Sequence, residues 1–296
     1  RLARGWRVRV YLDGEILPRE HAKISPFDRG FLFGDGVYEG LRAFGGRVFA
    51  LDEHADRLAA GIRACRIGGF DPGELGAICR RVLEANELAD AFIYVQVSRG
   101  TPGPGMPVRE RLGGRGMRPT VFAYAEPAPA AAAYERPGEL SVATRRDVRW
   151  ELGWVKGVSL LGNVMAAYEA CEAGAEDAIL VRGWPDGTGL VSEGLATNTF
   201  LSINGRVVTP SLNSVPMLEG VTRRILVDEL GREIEERPVT LAELGRADEI
   251  ALVGTRTMVA RVSRLDDVTM GDVGMSRRLL ELLKERIAAT LHSQHG

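Results

Sequence analysis

The chain has 296 residues, 45% of them hydrophobic, which is enough for two domains with buried cores. A net charge of −2 with scattered arginines argues against nucleic acid as a partner, and the lack of an apolar run of about 18 residues argues against a membrane span, so a small molecule is expected instead. Cys65, Cys79 and Cys171 lack metal-ligand spacing, and the start RLARGWRVRVYLDGE is too charged for a secretory signal. Reduced, buried thiols, no zinc and a cytoplasmic location are therefore expected.

In chain order, Val8–Leu12 and Glu15–Leu17 alternate around Asp13-Gly14 and predict a β-hairpin. Gly34-Asp35-Gly36 interrupts the chain before a strand at Val37–Phe44, and Gly45-Gly46 turns it into a second strand at Arg47–Leu51. Because this Gly-Asp-Gly precedes a strand, no helix N-terminus stands behind it to hold a phosphate, and it reads as a tight turn. Tyr38 and Arg42 then share one strand face. Asp52 is expected to cap a helix to about Arg66 with an apolar stripe at Ala55, Leu58, Ala59 and Ile62. Arg57 lies off that stripe, where a solvated arginine is the ordinary outcome. Asp71-Pro72 opens a second helix to about Leu88, and Phe92–Ser98 is a strand. Thr101–Pro119 is a Gly/Pro-rich loop long enough to cover a site, and Val121–Tyr124 is a short strand. The Ala/Pro-rich stretch 126–138 reads as a linker between domains at 1–125 and 139–296.

The second half predicts short strands and few helices, beginning with Leu140–Thr144 and the region around Lys156. There the run DVRWELGWVKGVSLLGNVMAA sets a lone amine between Trp154, Val155, Val158, Leu160 and Leu161; the chain's other lysines are Lys23 and Lys284. A desolvated lysine loses its proton more readily, and the free amine is a nucleophile that forms an imine with an aldehyde. The alternative is a lysine that snorkels to water. A helix at Gly162–Gly174, a strand at Asp177–Val181 and a Trp-Pro-Asp-Gly turn lead to Leu190–Ser192 and then Glu193, which would ordinarily be a strand-end carboxylate in water. Asn198–Ile203 and Arg206–Thr209 form a hairpin over Asn204-Gly205. Leu218-Glu219-Gly220 is a loop before a helix that opens at Val221-Thr222, either an anion site or a plain threonine cap. Thr240 and Glu243 make a capping box. Ile250–Val253 is a strand ending in Gly254-Thr255-Arg256-Thr257, whose hydroxyls and amides suit a second wall of such a site, and a last helix runs from about Ser276 to His292.

An isolated lysine, a distant glutamate and two hydroxyl-bearing turns are the parts of a pyridoxal phosphate site. With FDRGFLFGDGVYEGLRAF, LDEHADRL, VKGVSLLGNVMAAYEA, LVSEGLATNTF, MLEGVTRRILV and ADEIALVGTRT in this order, nearly the whole chain resembles the class IV (fold type IV) pyridoxal phosphate-dependent aminotransferases. The resemblance implies a mixed α/β fold, with a small N-terminal domain, a larger C-terminal pseudo-barrel domain and the cofactor between them, in a homodimer. It implies that Lys156 forms a Schiff base with the cofactor and moves the substrate proton, while Glu193 faces the pyridine nitrogen. Arg57, Val221, Thr222, Gly254 and Thr255 would bind the phosphate, Asn198 would support the loop behind the ring, Leu218 would be a further cofactor-binding residue, and Tyr38 would lie on the substrate side.

Substrate choice is less direct. Branched-chain enzymes of the family carry an arginine where this chain has Tyr94, and AFIYVQVSRG with DVRW is more similar to D-amino-acid aminotransferases. The Arg-x-His carboxylate trap of those enzymes is replaced here by Pro104 and Met106. YEGLRAF is in turn similar to the branched-chain group and makes Arg42 the candidate for a substituted carboxylate anchor. The expectation is transamination between a D-amino acid and a 2-oxo acid such as 2-oxoglutarate or pyruvate. The alternatives are a branched-chain L-amino-acid aminotransferase, an (R)-amine aminotransferase and an aminodeoxychorismate lyase.

Overall fold

The computed structural model describes residues 8–113, 116–184 and 188–292. Two compact units divide the chain: residues 8–133 with Val155–Ser159, and Tyr134–Trp154 with residues 160–292.

The first unit is an antiparallel sheet covered by two helices. Its strands are β1 (Arg9–Leu12), β2 (Glu15–Pro18), β3 (Gly36–Phe44), β4 (Arg47–Val48), β5 (Ala91–Ser98) and β6 (Thr120–Pro127), in the order β2-β1-β6-β5-β3-β4. The first hairpin forms as expected: Asp13 and Gly14 take positive φ of 48° and 99°, which a two-residue turn requires. A short helix, α1 (Arg29–Phe33), was not anticipated, because five residues carry no readable period. Asp28 accepts a hydrogen bond from the Gly30 amide at its start, and left-handed Gly34 (φ 64°) closes it. Helices α2 (Leu51–Ala64) and α3 (Leu75–Ala85) bury Leu58, Ile62, Leu75, Ile78 and Val82 against the sheet.

Strand parity decides what each sheet face does. Val37, Leu41, Ile93, Val95, Val97 and Ala123 point under the helices and are buried, whereas Tyr38, Tyr94, Phe122 and Tyr124 on the opposite parity are half-buried. Two helix starts differ from expectation. β4 ends at Val48 and α2 begins at Leu51 after left-handed Ala50 (φ 52°), so Asp52 sits in the first turn and complements the helix dipole instead of capping it. Asp71 caps a 3-10 turn at Pro72–Glu74, and α3 stops at Ala85, short of Leu88.

The second unit is a nine-stranded mixed sheet. Its strands are β7 (Gly138–Arg146), β8 (Asp177–Arg182), β9 (Leu190–Gly194), β10 (Asn198–Ile203), β11 (Arg206–Pro210), β12 (Ile234–Arg237), β13 (Glu249–Gly254), β14 (Met258–Leu265) and β15 (Val268–Thr269). They run in the order β12-β11-β10-β13-β14-β7-β8-β9, with β15 on β14; β7 is parallel to both β8 and β14, and β11 to β12. Four helices complete it: α4 (Leu161–Glu172), α5 (Val221–Leu230), α6 (Leu241–Leu244) and α7 (Met275–His292). The core collects Val142, Ile179, Leu201, Ile250, Leu252 and Val262 from five neighbouring strands. β12, β14 and β15 went unread in the sequence: Glu235, Glu236 and Arg237 disguise the first, and two residues are too few to mark the last. The Trp-Pro-Asp-Gly turn falls on 185–187, outside the described residues.

The expected capping box is present, with Thr240 accepting from the Glu243 amide and the Glu243 carboxylate accepting from the Thr240 amide. The thiols differ from expectation: none is in a disulfide, but only Cys79 is buried, Cys65 is half-buried and Cys171, on the outer face of α4, is exposed.

The start of α7 depends on one buried acid from the sheet. Glu249, at the head of β13, accepts from the amides of Val273, Met275 and Ser276 at 2.8, 3.0 and 2.8 Å. Glu249→Ala would leave three amides without an acceptor and should lower the unfolding free energy by roughly 2–4 kcal/mol in chemical denaturation. A loss below about 0.5 kcal/mol would show that α7 does not need this cap.

Candidate active site

In the first unit, β3 is flanked by the short segment that carries Lys156. The Tyr38 amide donates to the Lys156 carbonyl at 3.0 Å, the Val158 amide donates to the Gly36 carbonyl at 3.1 Å, and Val37 bridges Gly157. The pairing is a single bridge and not the strand expected there. It sets the Lys156 ammonium 4.5 Å from the centroid of the Tyr38 ring, a cation–π contact. Of the apolar neighbours expected to enclose the amine, Val155 is buried, but Trp154, Leu160 and Leu161 are exposed. The aromatic ring from β3, not the flanking sequence, is therefore the surface against which this amine lies.

Tyr38 begins a ladder of rings across the half-buried sheet face. It stacks on Tyr94 at 5.4 Å between centroids, Tyr94 stacks on Tyr124 at 5.3 Å, and Phe122 follows at 6.0 Å. Gly40 opposes Tyr94 in the register, and a Cβ there would come within 3.0 Å of the Phe92 ring. Burial pushes the Tyr94 hydroxyl well above its ordinary pKa, helped by Tyr38 and Tyr124, and it stays a neutral donor to Gln96 Oε1 at 2.8 Å. Arg42 is a correction. It is 2% exposed, its Nε and Nη2 donate to the carbonyls of Ala91 and Pro129, and its guanidinium covers the Phe44 ring, so it serves the fold and is not placed to anchor a substrate carboxylate.

On the helix side of β3, Glu39 is fully buried and takes Arg57 in a two-pronged ion pair, at 2.8 Å to Nε and 2.7 Å to Nη2. His54, one helical turn from Arg57 on α2, donates from Nδ1 to the same carboxylate at 2.7 Å. The solvated arginine considered from the sequence is thus set aside. Burial alone would raise the Glu39 pKa, but the charge and hydrogen bonds of Arg57, with those of His54, outweigh it and lower it to about 2. Burial also lowers His54, against the pull of Glu39.

In the second unit, Glu193 is 5% exposed inside β9, not a strand-end carboxylate in water. Arg149 Nη1 donates to its Oε1 at 2.5 Å, Asn198 Nδ2 to its Oε2 at 3.2 Å, and the Leu218 amide lies 3.3 Å from both oxygens. Asn198 also holds the Leu218 carbonyl at 2.9 Å, and a Cβ on Gly220 would meet Asn198 Oδ1 at 2.1 Å, so only glycine fits the approach to α5. α5 then begins at Val221 with no side-chain cap, and Val221 and Thr222 are buried in its first turn. Thr222 is therefore not a plain capping residue. Gly254, at the end of β13, packs its backbone against the turn between β9 and β10: a Cβ there would lie 3.1 Å from the Ala196 carbonyl and 3.2 Å from the Thr197 methyl. Thr255, half-buried, follows it. Glu193, Asn198, Leu218, Val221, Thr222 and Gly254 thus belong to one connected group of turns.

Within the second unit, the uncapped, buried first turn of α5 has amides of the kind that suit a phosphate, and Glu193 is a fixed acceptor of the kind that suits a pyridinium N–H. Within the first unit, Lys156 carries an amine of the kind that suits an aldehyde, so the chemistry of each unit's donors fits pyridoxal phosphate. Among the described residues no group of three or more acidic, histidine or cysteine side chains could hold a metal ion, and no helix is long and apolar enough to cross a membrane. The sequence reading missed Glu39, His54, Asp147 and Arg149 as members of these clusters. The signal available for Glu39 was its strand parity, which turns it towards α2 and its Arg57.

Comparison with known proteins identifies the family and the fold. The family "Amino-transferase class IV" matches residues 36–265. The chain is 34% identical over 270 residues to the D-alanine aminotransferase of Bacillus licheniformis, covering 89% of this chain and 90% of that one. It is also 34% identical over 288 residues to a Methanocaldococcus jannaschii protein provisionally named a branched-chain-amino-acid aminotransferase, covering 94% and 96%. Among solved structures, the branched-chain aminotransferase of Thermoproteus uzoniensis with norvaline superposes with a TM-score of 0.83 at 25% identity, over 98% of this chain and 97% of that one.

The Glu39 pair carries a pH signature. With its native pKa lowered from 4.5 to about 2, Glu39 contributes stability that is fully present above pH 4.5 and is lost as pH falls towards 2. The lowered His54 acts with the same sign, because the unfolded chain takes up its proton first on acidification. Glu39→Gln should therefore be less stable than wild type near neutrality, by about 3 kcal/mol, and the difference should close by about pH 2 in urea titrations. A difference that stays constant between pH 7 and 3 would contradict the ion pair.

Proposed function

Because this chain belongs to the class IV aminotransferases, which work with pyridoxal phosphate, we propose that it transfers amino groups between a D-amino acid and a 2-oxo acid such as pyruvate or 2-oxoglutarate. The bound cofactor supplies an aldehyde that exchanges amines and an electron-withdrawing ring that acidifies the substrate Cα. Lys156 Nζ is the amine that would hold the aldehyde and would carry the proton to and from Cα; its seat on the Tyr38 ring limits where it can reach. Glu193 would accept the ring N–H. The first turn of α5 at Val221 and Thr222 would bind the phosphate, with Gly254, Thr255 and Arg57 as further expected contacts, while Asn198 and Leu218 hold the Glu193 carboxylate in place.

The observation that carries the substrate assignment is the sheet face beside Lys156. Tyr38, Tyr94 and Tyr124 line it, and Arg42, the one guanidinium on that parity of β3, is turned onto backbone carbonyls. Tyr38 and Tyr94 thus form the substrate side of the pocket. Similarity to D-alanine aminotransferases supports the D-reading. A second reading, L-branched-chain transamination, is favoured by the equal identity to the M. jannaschii relative. A cytoplasmic homodimer completes the proposal. Its support is an outward apolar face: Leu161, Val164, Met165 and Tyr168 are exposed at helical spacing on α4, beside exposed Trp150 and Trp154, more than a monomer ordinarily leaves in water.

The test is a half-reaction screen on the purified, cofactor-loaded protein. D-alanine and D-glutamate should bleach the yellow absorbance, whereas L-leucine and (R)-1-phenylethylamine should not. Bleaching by L-leucine alone would replace the D-reading with the branched-chain one. Lys156→Ala should lower turnover by about 10³-fold or more. Light scattering should return twice the chain mass, and a monomer would overturn the dimer.

A further inference from the structure

We infer that Arg149 is the positioning residue for Glu193: clamped on one side by Asp147, its guanidinium fixes the direction and supplies the countercharge of the carboxylate that the cofactor's ring nitrogen meets. The inference rests on the reading of Glu193 given above.

A guanidinium is a rigid planar fork of five N–H donors, and here its edges are divided between two acids. Nε donates to Asp147 Oδ1 at 3.0 Å and Nη2 to Asp147 Oδ2 at 2.8 Å, which sets the plane of the fork; Nη1 is then directed to Glu193 Oε1 at 2.5 Å. Asp147 is itself held. Its side chain is fully buried, its amide donates to the Val181 carbonyl at 2.8 Å, and Ser192 Oγ donates to its Oδ2 at 2.8 Å. Ser192 and Glu193 are consecutive in β9, so the contacts close a ring from Ser192 through Asp147 and Arg149 back to Glu193. A carboxylate in such a ring cannot turn without breaking a charge-assisted bond.

The stem of Arg149 is also confined. Gly162, in the first turn of α4, leaves room for it, since a Cβ there would stand 3.0 Å from Arg149 Cγ. Burial by itself would lower the Arg149 pKa, but the hydrogen bond to Asp147 and the charges of Glu193 and Asp147 outweigh it and raise it, so the cation is permanent. Desolvation alone would raise the Asp147 pKa, but the hydrogen bonds and charge of Arg149, with the hydroxyl of Ser192, outweigh it and lower it. From the other side, Asn198 and the Leu218 amide take the Glu193 oxygens with neutral donors. The guanidinium is therefore the charged donor set against the neutral ones, and its loss would take from a buried carboxylate its charge-assisted bond to Arg149.

The test separates this role from simple folding by comparing two cofactors that differ in one atom. Full-length apo-protein is titrated with pyridoxal phosphate and with its 1-deaza analogue, in which a C–H replaces the ring nitrogen, and the ratio of the two dissociation constants is read. Wild type should prefer pyridoxal phosphate by about 30-fold or more, Arg149→Met should cut that ratio by about tenfold, and Arg149→Lys should recover part of it. A wild-type ratio near one would overturn the Glu193 reading itself. A clear wild-type ratio that is unchanged in Arg149→Met, with both affinities falling together or not at all, would leave that reading standing and overturn the inference. Should Arg149→Met not fold, Asp147→Asn keeps the shape of the clamp and removes its charge; a reduced ratio there supports the inference and a wild-type ratio overturns it.

Discussion

A buried carboxylate needs donors in place of water, and while Glu249 takes them from amides alone, Glu39 in one unit and Glu193 in the other each take a guanidinium. Glu39 lies on the helix side of β3, and α2 is placed so that Arg57 and His54 reach it in successive turns. Glu193 lies within β9, and the residues after β7 bring Arg149 across to it. In both cases the guanidinium is bidentate on a carboxylate, Arg57 on Glu39 and Arg149 on Asp147, a geometry that lysine cannot reproduce. That constraint explains why a chain with so few lysines still assembles its charged centres: arginine serves where a fixed cation is needed.

The second dependency is on backbone continuity. The chain leaves one unit after Trp154 and re-enters it at Leu160, and the five residues between belong to the other unit, paired to the start of β3. Arg149 and Lys156 are thus tied to two separate structural environments by a short stretch of backbone. The same economy holds in the turns beside Glu193. Asn198 serves the Glu193 carboxylate and the Leu218 carbonyl at once, and Gly220 is required because Asn198 occupies the space where a Cβ would be. The α5 terminus and the carboxylate are therefore set by the same few residues.

Much of the scaffold was legible in the sequence because its signals are local. Asp13-Gly14 and Asn204-Gly205 turn through positive φ, Thr240 and Glu243 cap α6 reciprocally, and the strand at Asn198–Ile203 is where its alternation places it. What was not legible depends on tertiary partners. Arg42 reads as a free guanidinium on a strand face, but the β5 carbonyl at Ala91 and the carbonyl of Pro129 claim it. Lys156 reads as enclosed by its neighbours, whereas Tyr38 from a distant strand provides the contact. Arg149 sits in a run whose spacing says nothing of Glu193, and nothing short of the folded sheet brings them together. α1 and β12 escaped for a simpler reason: one is too short and the other too charged to show a period.

As an aminotransferase of this family, the protein is expected to work through the amine of Lys156. Borohydride reduction of the yellow protein, followed by digestion and mass mapping, tests it most directly, because the chain offers only Lys23 and Lys284 as other lysine acceptors. One cofactor per chain is expected, attached to the peptide that contains Lys156. Attachment at Lys23 or Lys284, or a colourless protein that takes up no cofactor, would contradict it.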